Sequence, residues 1–271
     1  MSPAEPDATG DSPRLPPGFA AVFHASIGST SDEAKALASA GAAHGTLVWA
    51  LEQTAGRGRL DRQWQSPRGN LYTSCILRPE VKPARAAEIG FVAALAVAET
   101  ARALLPAAVP VALKWPNDVL ADGGKLAGIL LEAQSSTNIA GPHGTIDWLV
   151  LGMGINVVAA PGDTPYRAAA LQPLGAVADA RLVLELLYGA LAERLDEWRQ
   201  GGFAPIRQRW LGLARGLGDP IAVRQGEGTV EGRFVDLDQD GALVLETAEG
   251  RRRITTGDVH FGQVMATGMG D

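Results

Sequence analysis

The chain has 271 residues, 46% of them hydrophobic, and a formal net charge of −6. This length suits one or two globular units of the usual ~100–200 residues. The acidic balance offers no general attraction for nucleic acid, so any phosphate chemistry has to come from local cations. A single cysteine, Cys75, excludes an intrachain disulfide, and the four histidines (His24, His44, His143, His260) have no metal-ligand spacing, which fits a reducing, cytoplasmic setting.

Residues 1–18 carry Pro3, Pro6, Pro13, Pro16 and Pro17 among Glu5, Asp7 and Asp11, with no apolar run of the signal-peptide kind, and read as a disordered tail. Over 29–41 the pattern is helical: Thr30 and Glu33 form a capping box, Ala34, Leu37 and Ala38 an apolar stripe, and Gly41 a stop. Strands follow at 46–51 and 71–77, separated by a polar loop rich in Gly and Arg; an irregular loop of about twenty residues is usually functional. Residues 84–105 read as a long Ala-rich helix, then come strands at 111–115, 125–133 and 148–157, with a turn at 122–124 and a hairpin connection over 138–144. Two more helices are expected at 181–198, with Leu182, Leu186, Leu191 and Leu195 at helical spacing, and at 203–213. The longest apolar stretch, 89–98, falls short of the ~20 residues that span a bilayer, so no membrane partner is expected.

After Gly216 the texture changes to short β segments at 221–224, 229–237, 242–246 and 251–255, broken by Gly-containing turns, as in a small β-barrel. There is no internal repeat, and too few ordered residues precede Phe19 for a helix-turn-helix module. The expected organisation is a tail at 1–18, a catalytic unit at 19–215 and a small β unit at 216–271.

Four clusters could carry chemistry. Gly56-Arg57-Gly58-Arg59, with Arg62 and Trp64 beyond, combines close backbone approach with guanidiniums that bind phosphate or carboxylate through paired hydrogen bonds; a string this short, taken alone, is more often a solvated basic turn. In Lys114-Trp115-Pro116-Asn117-Asp118 the proline ends a strand and puts Asn117 and Asp118 at its edge, although a Pro-Asn-Asp turn needs no ligand. Lys125, between Gly124 and Gly128, opens an apolar strand and either faces a pocket or snorkels at the surface. Gly152 and Gly154, before Asn156, leave room for a flat ligand or mark a bulge or tight packing, and Asn156 could read an adenine edge.

Taken in order, these clusters resemble the biotin protein ligase family in its form without a DNA-binding domain. The resemblance runs from about Ala25 onward and rests on Gly28-Ser29-Thr30, the string from Glu52 to Arg59, Trp64 with Ser66-Pro67 and Asn70-Leu71-Tyr72, and the clusters around Asn117, Lys125 and Gly154. It implies an α+β fold: a class II aminoacyl-tRNA-synthetase-like catalytic domain, a mixed sheet with flanking helices, plus a C-terminal SH3-like β-barrel. It implies a reaction in which ATP and biotin give biotinyl-5′-AMP, followed by transfer to a lysine of a biotin carboxyl carrier protein or carboxylase biotin domain, with Mg²⁺ and fixed cations offsetting the repulsion between two anions. By resemblance, Ser29, Thr30, Ser31, Gln53, Gly56, Arg57, Gly58, Arg59, Gly128, Gly152 and Gly154 surround biotin. Arg59, Trp64, Asn117 and Asn156 surround the nucleotide. Lys125 bridges the biotin carboxylate and the α-phosphate, with Arg57 and Arg59 holding the adenylate. Where the family often has Asn after Ser-Thr, this chain has Ser31, whose hydroxyl can still cap or bond.

The resemblance also implies that the Gly56–Arg62 loop is disordered without ligand and must exclude water while the adenylate waits. A homodimer through the central sheet is left open. The nearest rivals are a lipoate ligase or octanoyl transferase, which would need a longer apolar tunnel, a biotin-sensing transcriptional regulator, and a non-catalytic nucleotide-binding module.

Overall fold

The computed structural model describes residues 12–135 and 144–261. Residues 12–18 of the expected tail are instead held against the fold: the Ser12 carbonyl accepts a hydrogen bond from Arg181 Nη2 at 2.8 Å, the Arg14 N–H donates to Glu185 Oε1 at 2.9 Å, and Leu15 packs against the core. Strand β1 (Ala20–His24) has no counterpart in the sequence expectations; it lies parallel to β2 and forms one edge of the sheet. Helix α1 (Thr30–Ser39) follows. Its cap is one residue earlier than expected, because the Ser29 hydroxyl accepts from the Asp32 N–H at 3.4 Å, and Thr30 turns its hydroxyl to other partners. Strand β2 (Thr46–Ala50) and strand β3 (Leu71–Leu77) are where the pattern puts them.

The expected single helix over 84–105 is broken into α2 (Pro83–Ala87) and α3 (Ile89–Leu104). At the join, buried Glu88 accepts the Trp198 indole N–H at 2.5 Å, and burial raises its carboxyl above the usual range. Strand β4 (Val111–Lys114) ends before Pro116, and β5 (Asp118–Ala121), also absent from the expectations, returns beside it with Lys114 opposite Asp118. Asp118 therefore sits in a hairpin and pairs on its other side with Gly128, where the sequence placed it at a strand edge. Strand β6 (Gly124–Ser135) and strand β7 (Ile146–Ile155) pair antiparallel; the connection expected over 138–144 falls, apart from Gly144, outside the described residues.

Helix α4 (Ala180–Gly201) buries Val183, Leu184, Leu187, Tyr188, Leu191, Leu195 and Trp198, and is followed by α5 (Phe203–Leu211). The leucine stripe of the sequence is thus only half right: Leu182 and Leu186 are each 38% exposed, because the buried face is rotated to include Val183 and Leu187.

These strands form one seven-stranded sheet in the order β1-β2-β3-β7-β6-β5-β4, antiparallel except for β1 and β2. One face packs on α3 and α4, through residues such as Leu47, Trp49, Cys75, Leu149 and Leu151. The opposite face is covered by α1 at one end only, where Val48, Ile76, Trp148 and Val150 meet Ala34 and Ala38. A second, five-stranded antiparallel sheet contains β8 (Pro220–Gln225), β9 (Gly228–Leu237), β10 (Leu243–Thr247), β11 (Gly250–Ile254) and β12 (Asp258–Phe261), in the order β11-β10-β9-β8-β12. Strand β12 was not legible in the sequence; it closes against β8. Among the described residues no helix is long and apolar enough to cross a membrane.

Candidate active site

The face that α1 covers at one end of the sheet is stripped to glycine at the other. Along β7 the side chains on this face run Trp148, Val150, Gly152, Gly154, and Gly154 lies opposite Gly128 of β6. The N-terminus of α1 ends above this bare stretch, where the first N–H groups of a helix favour acceptors, and the Thr30 N–H finds one in Gln53 Oε1. A cavity forms there, lined by Ser29, Thr30, Ser31, Gln53, Arg57, Gly58, Arg59, Trp64, Asn117, Lys125, Gly128, Gly152 and Gly154.

One end of the cavity is a mesh of neutral polar groups. Gln53 Oε1 accepts from the Thr30 N–H at 2.8 Å and from the Thr30 hydroxyl at 3.0 Å, while its amide donates to Ser66 Oγ at 2.9 Å. The hydroxyls of Thr30 and Ser31 lie 2.8 and 3.0 Å from Ser74 Oγ. Gly152 is the space this mesh needs: a methyl carbon there would stand 2.8 Å from Ser31 Oγ. Hydroxyls and a carboxamide supply both donors and acceptors, the set that an amide or urea group requires.

The floor holds a surprise relative to the sequence reading. The flat group against Gly128 and Gly154 is the indole of Trp64 itself, and added methyl carbons at the two glycines would lie 2.9 and 2.6 Å from its ring. The open space is about 90 Å³, well below the ~300–1,000 Å³ of ordinary ligand pockets, because Trp64 fills the site.

The other end is ionic. Lys125 Nζ stands 2.7 Å from Asp118 Oδ1 and 5.5 and 5.4 Å from the ring centres of Trp64 and Tyr166. Apart from this ion pair, buried Asp118 Oδ1 has no donor among the described residues. The Lys125 backbone is fixed on both sides, its N–H donating to the Arg167 carbonyl at 2.8 Å and its carbonyl accepting from Ala169 at 2.9 Å. Arg59 Nη1 donates to Asn117 Oδ1 at 3.1 Å, Asn117 donates to the Ile129 carbonyl at 2.7 Å, and burial lowers the basicity of Arg59. Lys114, half-buried at the end of β4, is likewise held below its usual range by desolvation.

The loop carrying Arg59 and Trp64 is tied down at two points. Arg57 Nη2 donates to Asp32 Oδ1 of α1 at 2.6 Å and to Glu132 Oε1 of β6 at 3.1 Å, and Lys35 Nζ lies 2.9 Å from both carboxylates. Arg62 pairs with Asp258 of the second sheet. Burial alone would raise the Asp258 carboxyl, but Arg62, with Arg59 and Lys114 near, holds it below the carboxylate range.

Two expected site residues do not reach the cavity. Gly56 packs beneath the loop, where a methyl carbon would meet Ser66 Oγ and the Trp64 carbonyl at 2.5 Å. Asn156 is 2% exposed and donates to the carbonyls of Lys125 and Ala169 at 3.3 and 3.0 Å, so its amide pins the segment beside Lys125 and has no edge to offer a base. The structure adds Arg62, Ser74, Asp118, Tyr166 and Asp258 to the lining. Arg62 and Asp118 belonged to motifs already singled out, whereas Tyr166 and Asp258 sit in stretches without any local pattern.

A mixed sheet with this hydroxyl-and-cation cavity is the arrangement of an acylating protein ligase, and residues 24–152 match the family model described as Biotin/lipoate A/B protein ligase family. Residues 216–262 match Biotin protein ligase C terminal domain. The chain is 40% identical over 240 residues to a biotin--[acetyl-CoA-carboxylase] ligase of Paracoccus denitrificans, covering 86% of this chain and 97% of that one. It is 34% identical over 247 residues to the bifunctional ligase/repressor BirA of Bacillus subtilis, covering 89% of this chain and 74% of that one. Among solved structures, the biotin protein ligase of Aquifex aeolicus in complex with biotin and ATP superposes with a TM-score of 0.74 at 29% identity, over 89% of this chain and 97% of that one. The chain belongs to the biotin protein ligase family.

Proposed function

We propose that the protein joins biotin to a lysine of a biotin carboxyl carrier protein, using ATP and passing through biotinyl-5′-AMP. The observation that carries this reading is the juxtaposition, in one cavity, of a urea-compatible mesh around Thr30, Gln53 and Ser74 with the ammonium of Lys125. The relatives bear the same name of reaction, and one related structure holds both biotin and ATP.

In this reading the ring end of biotin displaces Trp64 and bonds to the mesh. Its carboxylate points toward Lys125, which stabilises the charge of the attacking carboxylate and of the α-phosphate through which the acyl phosphate forms, with loss of pyrophosphate. Lys125 exchanges its partner Asp118 for this anion. Arg59 and Asn117 bound the nucleotide side. Arg57, whose guanidinium already serves Asp32 and Glu132, acts by holding the loop closed over the adenylate and excluding water.

Mg²⁺ fits this site as a partner of the nucleotide. The described residues contain no cluster of three or more His, Cys, Asp or Glu side chains able to hold a metal. Asp118 Oδ1, a buried carboxylate oxygen in the cavity whose partner among the described residues is Lys125 Nζ, would suit a Mg²⁺ once Lys125 has turned to the substrate anion. The metal would supply neutralisation of phosphate charge. The protein acts in the cytoplasm, on small-molecule substrates and a protein acceptor.

The test is a labelling assay with ATP, Mg²⁺ and a biotin-acceptor domain, read by intact mass. A biotin-sized gain that needs ATP and is lost in Lys125→Ala supports the reading; a gain with lipoate and none with biotin would replace it by the rival ligase.

A further inference from the structure

Helix α1 brings Ser29, Thr30 and Ser31 to the cavity, and its far end is held by a residue outside the site. Side chains along a strand alternate between faces, so Ser74, Ile76 and then Arg78 follow one another on the side of β3 that meets α1. Ser74 Oγ lies 2.8 Å from the Thr30 hydroxyl and 3.0 Å from that of Ser31, and Ile76 packs with Ala34 and Ala38. Arg78, just past the end of β3, donates from Nη2 to the Ala38 carbonyl at 2.7 Å and from Nε to the Ala42 carbonyl at 3.1 Å. Four strand residues span about 14 Å and eight helical residues about 12 Å, so this one run of β3 reaches both ends of α1. We propose that Arg78 is a positioning residue for biotin: it fixes how far α1 reaches, and so where the Thr30 and Ser31 hydroxyls meet the ring end of biotin; the inference rests on the biotin-ligase reading.

Three observations single out Arg78. The face of α1 on the sheet is made by Ala34 and Ala38, whose methyl groups allow close approach but form only a low ridge against sliding. The last turn of α1 has no basic residue of its own, and the Arg78 guanidinium supplies a cation at that negative end of the helix. Arg78 is itself fixed: its N–H donates to His44 Nδ1 at 3.0 Å, and its Nη1 donates to the Asp147 carbonyl at 3.3 Å, near the start of the strand β7 whose other end carries Gly152 and Gly154. One guanidinium therefore joins the helix that bears the hydroxyls to the strand that bears the glycine floor. The tolerance is small, because the Thr30 and Ser31 contacts with Gln53 and Ser74 measure 2.8–3.0 Å and a slide of about 1 Å would take them out of hydrogen-bond range.

Arg78→Met keeps the aliphatic stem and removes the fork, whereas Arg78→Lys keeps a charged donor. Calorimetric titration should find the biotin Kd raised about tenfold or more in Arg78→Met, the cost of a misplaced binding group, and partly recovered in Arg78→Lys. KM for ATP, measured by pyrophosphate exchange at saturating biotin, should stay within about twofold of the parent, the range of a change remote from the nucleotide side. Val223→Ala, in the buried core of the second sheet, controls for lost stability: it should lower the melting temperature and leave the biotin Kd as it is. An unchanged biotin Kd in Arg78→Met would overturn the proposal. So would an equal loss in Val223→Ala or an equal weakening toward ATP, either of which would make Arg78 a general stabiliser. A parent protein that binds no biotin would instead remove the ligase reading itself, and the role of Arg78 with it.

Discussion

The Trp64 indole lies on the bare backbone of Gly154, so close that a methyl carbon on that glycine would be 2.6 Å from the ring. The glycine is needed by the protein's own side chain before any ligand arrives. Gly154→Ala should push the indole upward, lower biotin affinity by about tenfold or more, and cost ~1–3 kcal/mol of stability as overpacking does. Calorimetric titration and thermal melting would show it; an unaltered affinity would mean that Trp64 stays in place when biotin binds. Biotin should also change the tryptophan fluorescence of the parent, and Trp64→Phe should abolish most of that change.

Among the described residues Lys125 carries the one ammonium lining the cavity, and the proposed function puts it where the two anions meet. Lys125→Ala should lower pyrophosphate exchange and transfer from preformed adenylate by about 10²–10³, the loss typical of a missing electrostatic stabiliser. Lys125→Arg should not restore the rate, because a planar fork does not replace a point charge against Trp64 and Tyr166. A fall confined to KM for ATP would demote Lys125 to a nucleotide-binding group.

The tether between Arg62 and Asp258 predicts a conformational effect larger than its energetic one. Partly exposed ion pairs contribute about 0–1 kcal/mol, so Asp258→Ala should hardly move the melting temperature. Cleavage of the 56–66 loop by protease should nevertheless quicken, adenylate should escape or hydrolyse faster, and Asp258→Glu should recover part of both. Adding biotin and ATP should protect the loop in the parent; equal cleavage in all these states would remove the tether's role.

Acid should weaken the fold through His44. Its Nδ1 accepts the Arg78 N–H at 3.0 Å, and burial, then Arg199 and Arg78, lower its affinity for a proton. The unfolded chain takes up a proton near pH 6.5 that the folded chain refuses, so stability falls as pH drops below about 6.5 until the folded pKa is reached. His260, depressed first by burial and then by Lys114, acts in the same direction. Melting curves between pH 8 and 5 should show a shallower acid slope for His44→Gln, and an identical slope would exclude His44 as the source.

Much of the cavity was legible because its residues travel in short strings. Gly56 to Arg59, Asn117 and the Gly124–Gly128 run could be read as units, and thirteen of the fifteen expected positions line one space. The failures have physical causes. Asn156 has the right chemistry but is spent on carbonyls of its neighbours, and Gly56 answers to backbone packing, two facts fixed by tertiary contacts alone. Edge strand β1 and hairpin strand β5, of five and four residues, are too short for a period to show. In α4 Leu191 and Leu195 lie on the buried face, whereas Leu182 and Leu186 stand one position away from it, where Val183 and Leu187 are buried. Asp258 carried no local signal at all.

Asp258 lies 196 residues beyond the arginine it holds. On a growing chain the catalytic sheet, its glycine floor and all its cations emerge long before β12 does, and contacts between distant residues form late. Under the proposed function, a chain halted before β12 would carry the cavity's glycine floor and cations yet lack the carboxylate that ties Arg62. The tether would then link safe handling of the intermediate to the completion of β12.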